Sequence, residues 1–223
     1  MILAAGLGTR LRPLTNHRPK ALVEVAGRTL LEITLSRLRE FGVHDVIVNV
    51  HHFADAVIEY LKSNSNFGMR VEISREDVLL DTGGGLKKAG WFFKGEGPFI
   101  LHNVDVISTI DLTRMLQFHN DNRALATLAV QDRKTSRPLL FDDQLQLCGR
   151  AEAGSGLAFS GIHVISPRIL DLVDDGVFSI ITSYLNLAKR GEKIMAFRAD
   201  EYRWRDLGKP EDLKKAAKEF GVN

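Results

Sequence analysis

Between Gly6 and Lys20 the chain reads GLGTRLRPLTNHRPK, with two glycines, three arginines and a lysine but no acid. Those residue types at that spacing suit an anion. Glycines at positions 6 and 8 let the backbone come close to a ligand and turn N–H groups toward phosphate oxygens. Arg10 offers a planar fork of donors, and Lys20 a mobile point charge. Pro19 holds Arg18 extended and stiffens the approach to Lys20. Two common phosphate loops do not fit. A Walker A loop needs Gly-Lys-Ser/Thr, which is missing here. A dinucleotide fingerprint needs G-x-G-x-x-G, and Leu11 stands at its third glycine. The stretch predicts an anion-holding loop of another kind, with Arg10 and Lys20 as its main cations.

Such a loop needs elements to position it. Strand-like and helix-like segments alternate along the chain. Strands are predicted at 1–4, 45–50, 69–75, 98–105, 124–131, 156–166 and 194–198. Helices are predicted at 30–41, 54–62, 86–93, 112–122, 167–173 and 179–190, with a last one from about Pro210. Leu31, Leu35 and Leu38 share one face of the first helix, and Gly42 is placed to stop it. RPLLFDDQLQLCG predicts a hairpin turning at 142–144, and GRAEAGSG at 149–156 reads as a loop. Repeated β–α units predict an α/β fold, a Rossmann-like doubly wound, mainly parallel sheet with helices on both faces. In such sheets ligands bind beyond the carboxyl ends of the strands. The basic stretch, DTGGG and HNVD all stand at or just past predicted strand ends.

Bulk properties narrow the classes further. The 223 residues, 44% hydrophobic and 26% charged, suit one soluble domain, 1–223. A net charge of +2, spread along the chain, gives no basic stripe for nucleic acid. No apolar run approaches the ~20 residues of a membrane span, and no signal peptide is read at the start. The single cysteine, Cys148, excludes an internal disulfide and reads as a small buried hydrophobe. A cytoplasmic protein is expected.

LAAGLGTRLRPLTNHRPKAL, residues 3–22, resembles the signature of the sugar-1-phosphate nucleotidyltransferases, roughly L-A-G/A-G-x-G-T-R-L-x-P-L-T followed by x-P-K. LLDTGGGLKKA resembles that family's L-E/G-T-G/A-G-x-x-x-A segment, and NVD stands where the family has N-x-D or G-D. FSGIHVIS resembles its F-x-G-I-x-V strand, and WRDLGKPEDL its W-x-D-x-G-x-P-x-x-L ending. The likeness runs over nearly the whole chain. The triple glycine and the length look most like the N-acetylmuramate-1-phosphate uridylyltransferases, then the mannose-1-phosphate guanylyltransferases.

The resemblance implies a nucleoside triphosphate and a sugar 1-phosphate as substrates, with Mg²⁺ as cofactor. It implies that Leu3 and Ala4 lie under the base, that Ala5 binds the nucleotide, and that Gly6, Gly8 and Thr9 form the loop around the triphosphate. Arg10 would hold the phosphates that leave, and Lys20 the α-phosphate or the incoming sugar phosphate. Asp81, Thr82 and Gly83 would fix base and ribose, Asn103 would hold the sugar or ribose, and Gly161 would bind substrate. Asp105 and Asp206 match the family's two metal positions, and Mg²⁺ characteristically takes one or two carboxylates plus substrate phosphates. The chain departs from the family at Val104, bulkier than the usual glycine or serine, and at Asp81, where many relatives carry Glu or Gly.

Other readings are weaker. His51 and His52 are adjacent, and neighbours on a strand point to opposite faces, so they make poor partners for one ion. His102 and His163 read as core or site-wall residues, and Trp91, Phe92 and Phe93 as core. A related glycosyltransferase would show D-x-D, but Asp105-Val106-Ile107 lacks the second acid. A non-catalytic relative would be favoured by loss of Arg10, Lys20, Asp105 or Asp206, and all four are present.

Overall fold

The structure, a computed structural model, describes residues 1–95, 97–151 and 155–220. Part of the expected loop, 152–154, lies outside the described residues, as do 96 and 221–223 of the expected 1–223 domain. The chain forms two interleaved compact units. One comprises Met1–Leu79, Asn103–Ser108 and the described residues from Trp204 on; the other comprises Leu80–His102 and Thr109–Arg203.

In the first unit the strands Ile2–Leu3, Asp45–Val50 and Arg70–Arg75 run parallel, with Leu3 opposite Asn49 and Asn49 opposite Ser74. Val46, Ile47, Val48 and Val50 are buried, as a strand covered on both faces demands. Asn49, 2% exposed, is the polar exception in that run. The helix Leu30–Glu40 follows its predicted period and buries Leu31, Leu35 and Leu38. Thr29 caps its start by accepting from the Glu32 amide at 3.1 Å. Its end is a Schellman turn: Gly42, at φ 77°, donates to the Arg39 carbonyl, and Val43 donates to that of Leu38.

A second helix, Ala54–Ser63, buries Ala54, Val57 and Leu61. Two short antiparallel pairs complete the unit: Glu24–Val25 with Arg28–Thr29, and Val106–Ser108 with Trp204–Asp206. The helix Pro210–Phe220 opens on proline, with Glu211 and Asp212 in its first turn and Lys218 in its last, as the helix dipole prefers. Arg205 bonds to Asp212 and Glu219, fixing that helix to the strand that carries Asp206.

In the second unit Ala126–Gln131 pairs parallel with Ile194–Arg198. Ala158–Ile165 runs antiparallel to both Ala126–Gln131 and Phe99–Asn103. The expected α/β fold with mainly parallel strands is present, with this one strand reversed. The expected hairpin forms between Leu139–Phe141 and Leu147–Arg150. Asp142 Oδ1 accepts from the amides of Gln144 and Gln146 and so sets its turn. No helix of the described residues is long and apolar enough to cross a membrane.

Three expectations need correction. DTGGG, placed at a strand end ahead of a helix expected at 86–93, lies inside the helix Asp81–Lys88. The cause is close packing. A Cβ on Gly83 would stand 2.2 Å from the Phe178 ring, and one on Gly84 2.1 Å from the Gly176 carbonyl. Cys148 is exposed, because it alternates with buried Leu147 on the hairpin strand. Trp91 is 49% exposed, on the rim of a groove of about 630 Å³ lined with Phe93, Pro167 and Leu170.

Candidate active site

Most of the residues singled out in the sequence fall in the first unit. The strand Ile2–Leu3 ends at the glycine stretch, and Ala4 and Ala5 are buried behind it. Gly8 adopts φ 64°, a conformation that favours glycine. A Cβ there would lie 2.9 Å from Thr15 Cγ2 and 3.1 Å from Lys20 Cβ. Thr15 Oγ1 donates to the Gly8 carbonyl at 2.8 Å, closing the loop on itself. A single 3-10 turn, Thr9–Leu11, follows and presents Arg10 outward while Leu11 is fully buried. A second, Lys20–Leu22, starts after extended Pro19 (φ −68°, ψ 152°) and holds Lys20 inward.

The two acids come from distant parts of the sequence. Asp206 lies opposite Val106 in the antiparallel pair, and the Leu207 amide donates to the Asp105 carbonyl at 2.7 Å. That pairing sets the residues bearing the two carboxylates next to each other. Each acid has one of the predicted cations as partner. Lys20 Nζ donates to Asp105 Oδ2, and both side chains are sheltered, 11% and 17% exposed. Arg10 Nη2 stands 3.7 Å from Asp206 Oδ1 in a wetter setting, 59% and 40% exposed. The sheltered pair is the less screened of the two.

Gly208 completes the second pair. Its amide donates to Asp206 Oδ1 at 2.7 Å. A Cβ there would fall 2.5 Å from both Arg10 Nη2 and Asp206 Oδ1. Gly208 lies within WRDLG, yet only the packing shows why glycine is needed. Val104, the departure from the family pattern, is 4% exposed, and its amide donates to the Leu3 carbonyl at 3.1 Å. It therefore packs inward. Asn103 is half-buried at the start of the same segment.

The remaining singled-out residues belong to the second unit. Asp81, at φ 58°, is exposed and accepts from the Thr82 amide at 2.6 Å. Thr82 Oγ1 accepts from the Ile180 amide at 3.0 Å, and the Gly83 amide donates to the Phe178 carbonyl at 2.9 Å. Gly161, at φ 76°, sits where the pairing of Ala158–Ile165 shifts register between Phe159 and His163, which marks a β-bulge.

His163 is fully buried, and its Nδ1 pairs with Tyr184 Oη at 2.8 Å. Burial, then the nearby His102, pushes its pKa down to about 3. His51 Nδ1 pairs with the Glu76 carbonyl at 2.9 Å. Among the described residues no three His, Cys, Asp or Glu side chains gather to hold a metal. Asp206 ends one strand of the pair and Asp105 immediately precedes the other, and one or two carboxylates suit Mg²⁺, which keeps its other positions for water and phosphate oxygens.

An α/β fold with a glycine loop and paired charges beyond a strand end has the form of proteins that bind ligands at that edge. The chain belongs to the nucleotidyl transferase family, whose pattern matches residues 1–139. It is 37% identical to the N-acetylmuramate alpha-1-phosphate uridylyltransferase of Caulobacter vibrioides, over 95% of this chain and 92% of that protein. It is 31% identical to the mannose-1-phosphate guanyltransferase of Yarrowia lipolytica, over 96% of this chain but only 61% of that longer protein. Among solved structures, HddC from Yersinia pseudotuberculosis complexed with GMP-PN superposes with a TM-score of 0.80 at 25% identity, covering 98% of this chain and 97% of that one.

Proposed function

We propose that this chain is a Mg²⁺-dependent nucleotidyltransferase that joins a nucleoside triphosphate to a sugar 1-phosphate, releasing pyrophosphate. The observation that carries the reading is the double pairing of Lys20 with Asp105 and Arg10 with Asp206 beside the glycine loop. The sugar phosphate is largely dianionic at neutral pH, since a phosphate monoester's second pKa is about 6. One of its oxygens attacks the α-phosphorus. The bond from that phosphorus to the bridging oxygen breaks, and pyrophosphate leaves with the electron pair. No general base is needed, so the work is positioning and charge neutralisation.

In this reading the amides of Gly6, Gly8 and Thr9 face the triphosphate, with Leu3, Ala4 and Ala5 beneath the base. Arg10 holds the departing phosphates, and Lys20 the α-phosphate or the incoming sugar phosphate. Asp81, Thr82 and Gly83 serve base and ribose, Asn103 and Gly161 the sugar, and the whole chain acts as one domain in the cytoplasm. Mg²⁺ held by Asp105 and Asp206 would supply Lewis-acid neutralisation of phosphate charge.

The relative that matches along almost its full length favours UTP and an N-acetylmuramate-type sugar 1-phosphate. The neighbour bound to a guanine nucleotide favours GTP as the second choice. A matrix of nucleoside triphosphates against sugar 1-phosphates, read by pyrophosphate release with and without Mg²⁺, tests this. Release that needs one triphosphate, one sugar phosphate and the metal together is expected. Release from no pair would refute the proposal.

A further inference from the structure

Under the glycine loop lies a buried polar chain that the proposed chemistry does not use. Leu3 is opposite Asn49 in the parallel pairing, and the strand Ile2–Leu3 ends there. The next amide, that of Ala4, donates to Asn49 Oδ1 at 2.7 Å. Asn49 Nδ2 donates to Glu76 Oε1 at 2.6 Å. Glu76 is fixed in turn through its backbone: its amide donates to the Val50 carbonyl at 2.8 Å, and its carbonyl meets His51 Nδ1. Asn49 is 2% and Glu76 3% exposed, in a setting where neither acceptor nor donor can turn to water instead. The amide orientation follows from its partners. Ala4 offers only a donor, so it must meet the oxygen, and the carboxylate must meet the nitrogen.

We infer that Asn49, backed by Glu76, is a positioning residue for nucleotide binding. The inference rests on the proposed function. The side chain of Asn49 takes the amide at the point where the chain leaves the strand, and so sets the direction in which Ala4, Ala5 and Gly6 depart. Through Glu76 that setting is referred to the ends of Asp45–Val50 and Arg70–Arg75. A ligand resting on Ala4 and Ala5 and held by the loop amides therefore depends on a hydrogen bond that it does not touch.

Asn49→Asp keeps an acceptor for Ala4 but sets a second carboxylate against Glu76. The double variant N49D/E76Q keeps the Ala4 bond and restores the bond between positions 49 and 76 with its roles reversed, since the amide introduced at position 76 donates to the carboxylate introduced at position 49. UTP and GTP binding is measured by calorimetry, together with hydrogen exchange at the Ala4 amide and melting temperature. For the nucleotide that the wild type binds, N49D is expected to weaken affinity by about tenfold or more and to speed Ala4 exchange, and the double variant to recover both. If N49D does not fold, the double variant against wild type decides. Wild-type affinity in N49D, or a folded double variant with lost affinity, overturns the inference while leaving the proposed function standing. A wild type that binds neither nucleotide refutes the choice of UTP or GTP in the proposed function instead, and a wild-type Ala4 exchange rate in N49D would then refute the anchor on its own.

Discussion

Lys20 Nζ is hydrogen-bonded to Asp105 Oδ2, across 85 positions of sequence and out of most solvent contact. The same carboxylate is the proposed metal ligand, and the same ammonium the proposed phosphate clamp. Without ligands the two neutralise each other. With them, the lysine is needed at phosphate and the carboxylate at metal. Lys20→Met should therefore bind Mn²⁺ several-fold more tightly than wild type, because a cation beside the metal position is gone, while turnover collapses. Calorimetric Mn²⁺ titration checks this. Unchanged or weaker metal binding would mean that Lys20 and the metal do not share Asp105.

Asp105→Asn and Asp206→Asn should each lower Mg²⁺-dependent pyrophosphate release by about 10²–10³-fold, the usual scale for removing one positioned charge partner. Both variants should still melt cooperatively. Near-normal turnover in both would remove the metal assignment.

Gly208→Ala separates folding from chemistry. The added methyl meets the flexible end of Arg10 and the carboxylate of Asp206, each at 2.5 Å, and both can swing away. Stability should change by no more than about 1 kcal/mol, because side-chain ends rather than backbone give way. The Arg10–Asp206 pairing would be lost, so turnover should fall by about tenfold or more. Chemical denaturation and steady-state rates on one preparation decide it.

Gly84→Ala is the converse case. Its methyl would meet the Gly176 carbonyl at 2.1 Å, and backbone cannot step aside. A loss of about 1–3 kcal/mol is expected from overpacking, seen as a lower denaturant midpoint. An unchanged midpoint would show that the helix Asp81–Lys88 can move off its neighbour.

Acid should destabilise the fold through its buried histidines. Burial lowers the pKa of His119 to about 4, and burial with His102 lowers that of His163 to about 3. Unfolded histidine titrates near 6.5. The unfolded chain thus takes up protons first, so the contribution is complete above about pH 6.5 and is lost as pH falls toward 4 and then 3. Each residue gives a slope of up to about 1.4 kcal/mol per pH unit. Melting temperature against pH should fall over that window, and His163→Gln should flatten the fall. An identical slope in the variant would exclude His163 as a source.

Much of this was legible in the residues. The period of Leu31, Leu35 and Leu38 with Gly42 marked a helix and its end, and the run DVIVNV marked a buried strand. The helix start was set too late, at 86, because three glycines disfavour a helix interior, and only the close approach of Phe178 and Gly176 shows why they stand there. The direction of Ala158–Ile165 was hidden too, since an apolar run reads alike whether its neighbours run parallel or antiparallel. In the candidate site, Arg10 and Lys20 stood out by type and spacing and Asp105 and Asp206 through the family resemblance, but the closeness of the two acids depends on the alignment of Val106–Ser108 with Trp204–Asp206. Asn49 and Gly208 carried weaker signals: one polar residue in an apolar strand, and one glycine beside an acid.

The central claim concerns which bond breaks. The most direct measurement follows α-³²P-labelled and γ-³²P-labelled UTP and GTP in separate reactions with a sugar 1-phosphate and Mg²⁺. The α-label should appear in a nucleotide sugar and the γ-label in pyrophosphate, in equal amounts and only when the sugar phosphate is present. An α-label released as nucleoside monophosphate, or a γ-label released as inorganic phosphate, would contradict the proposed reaction.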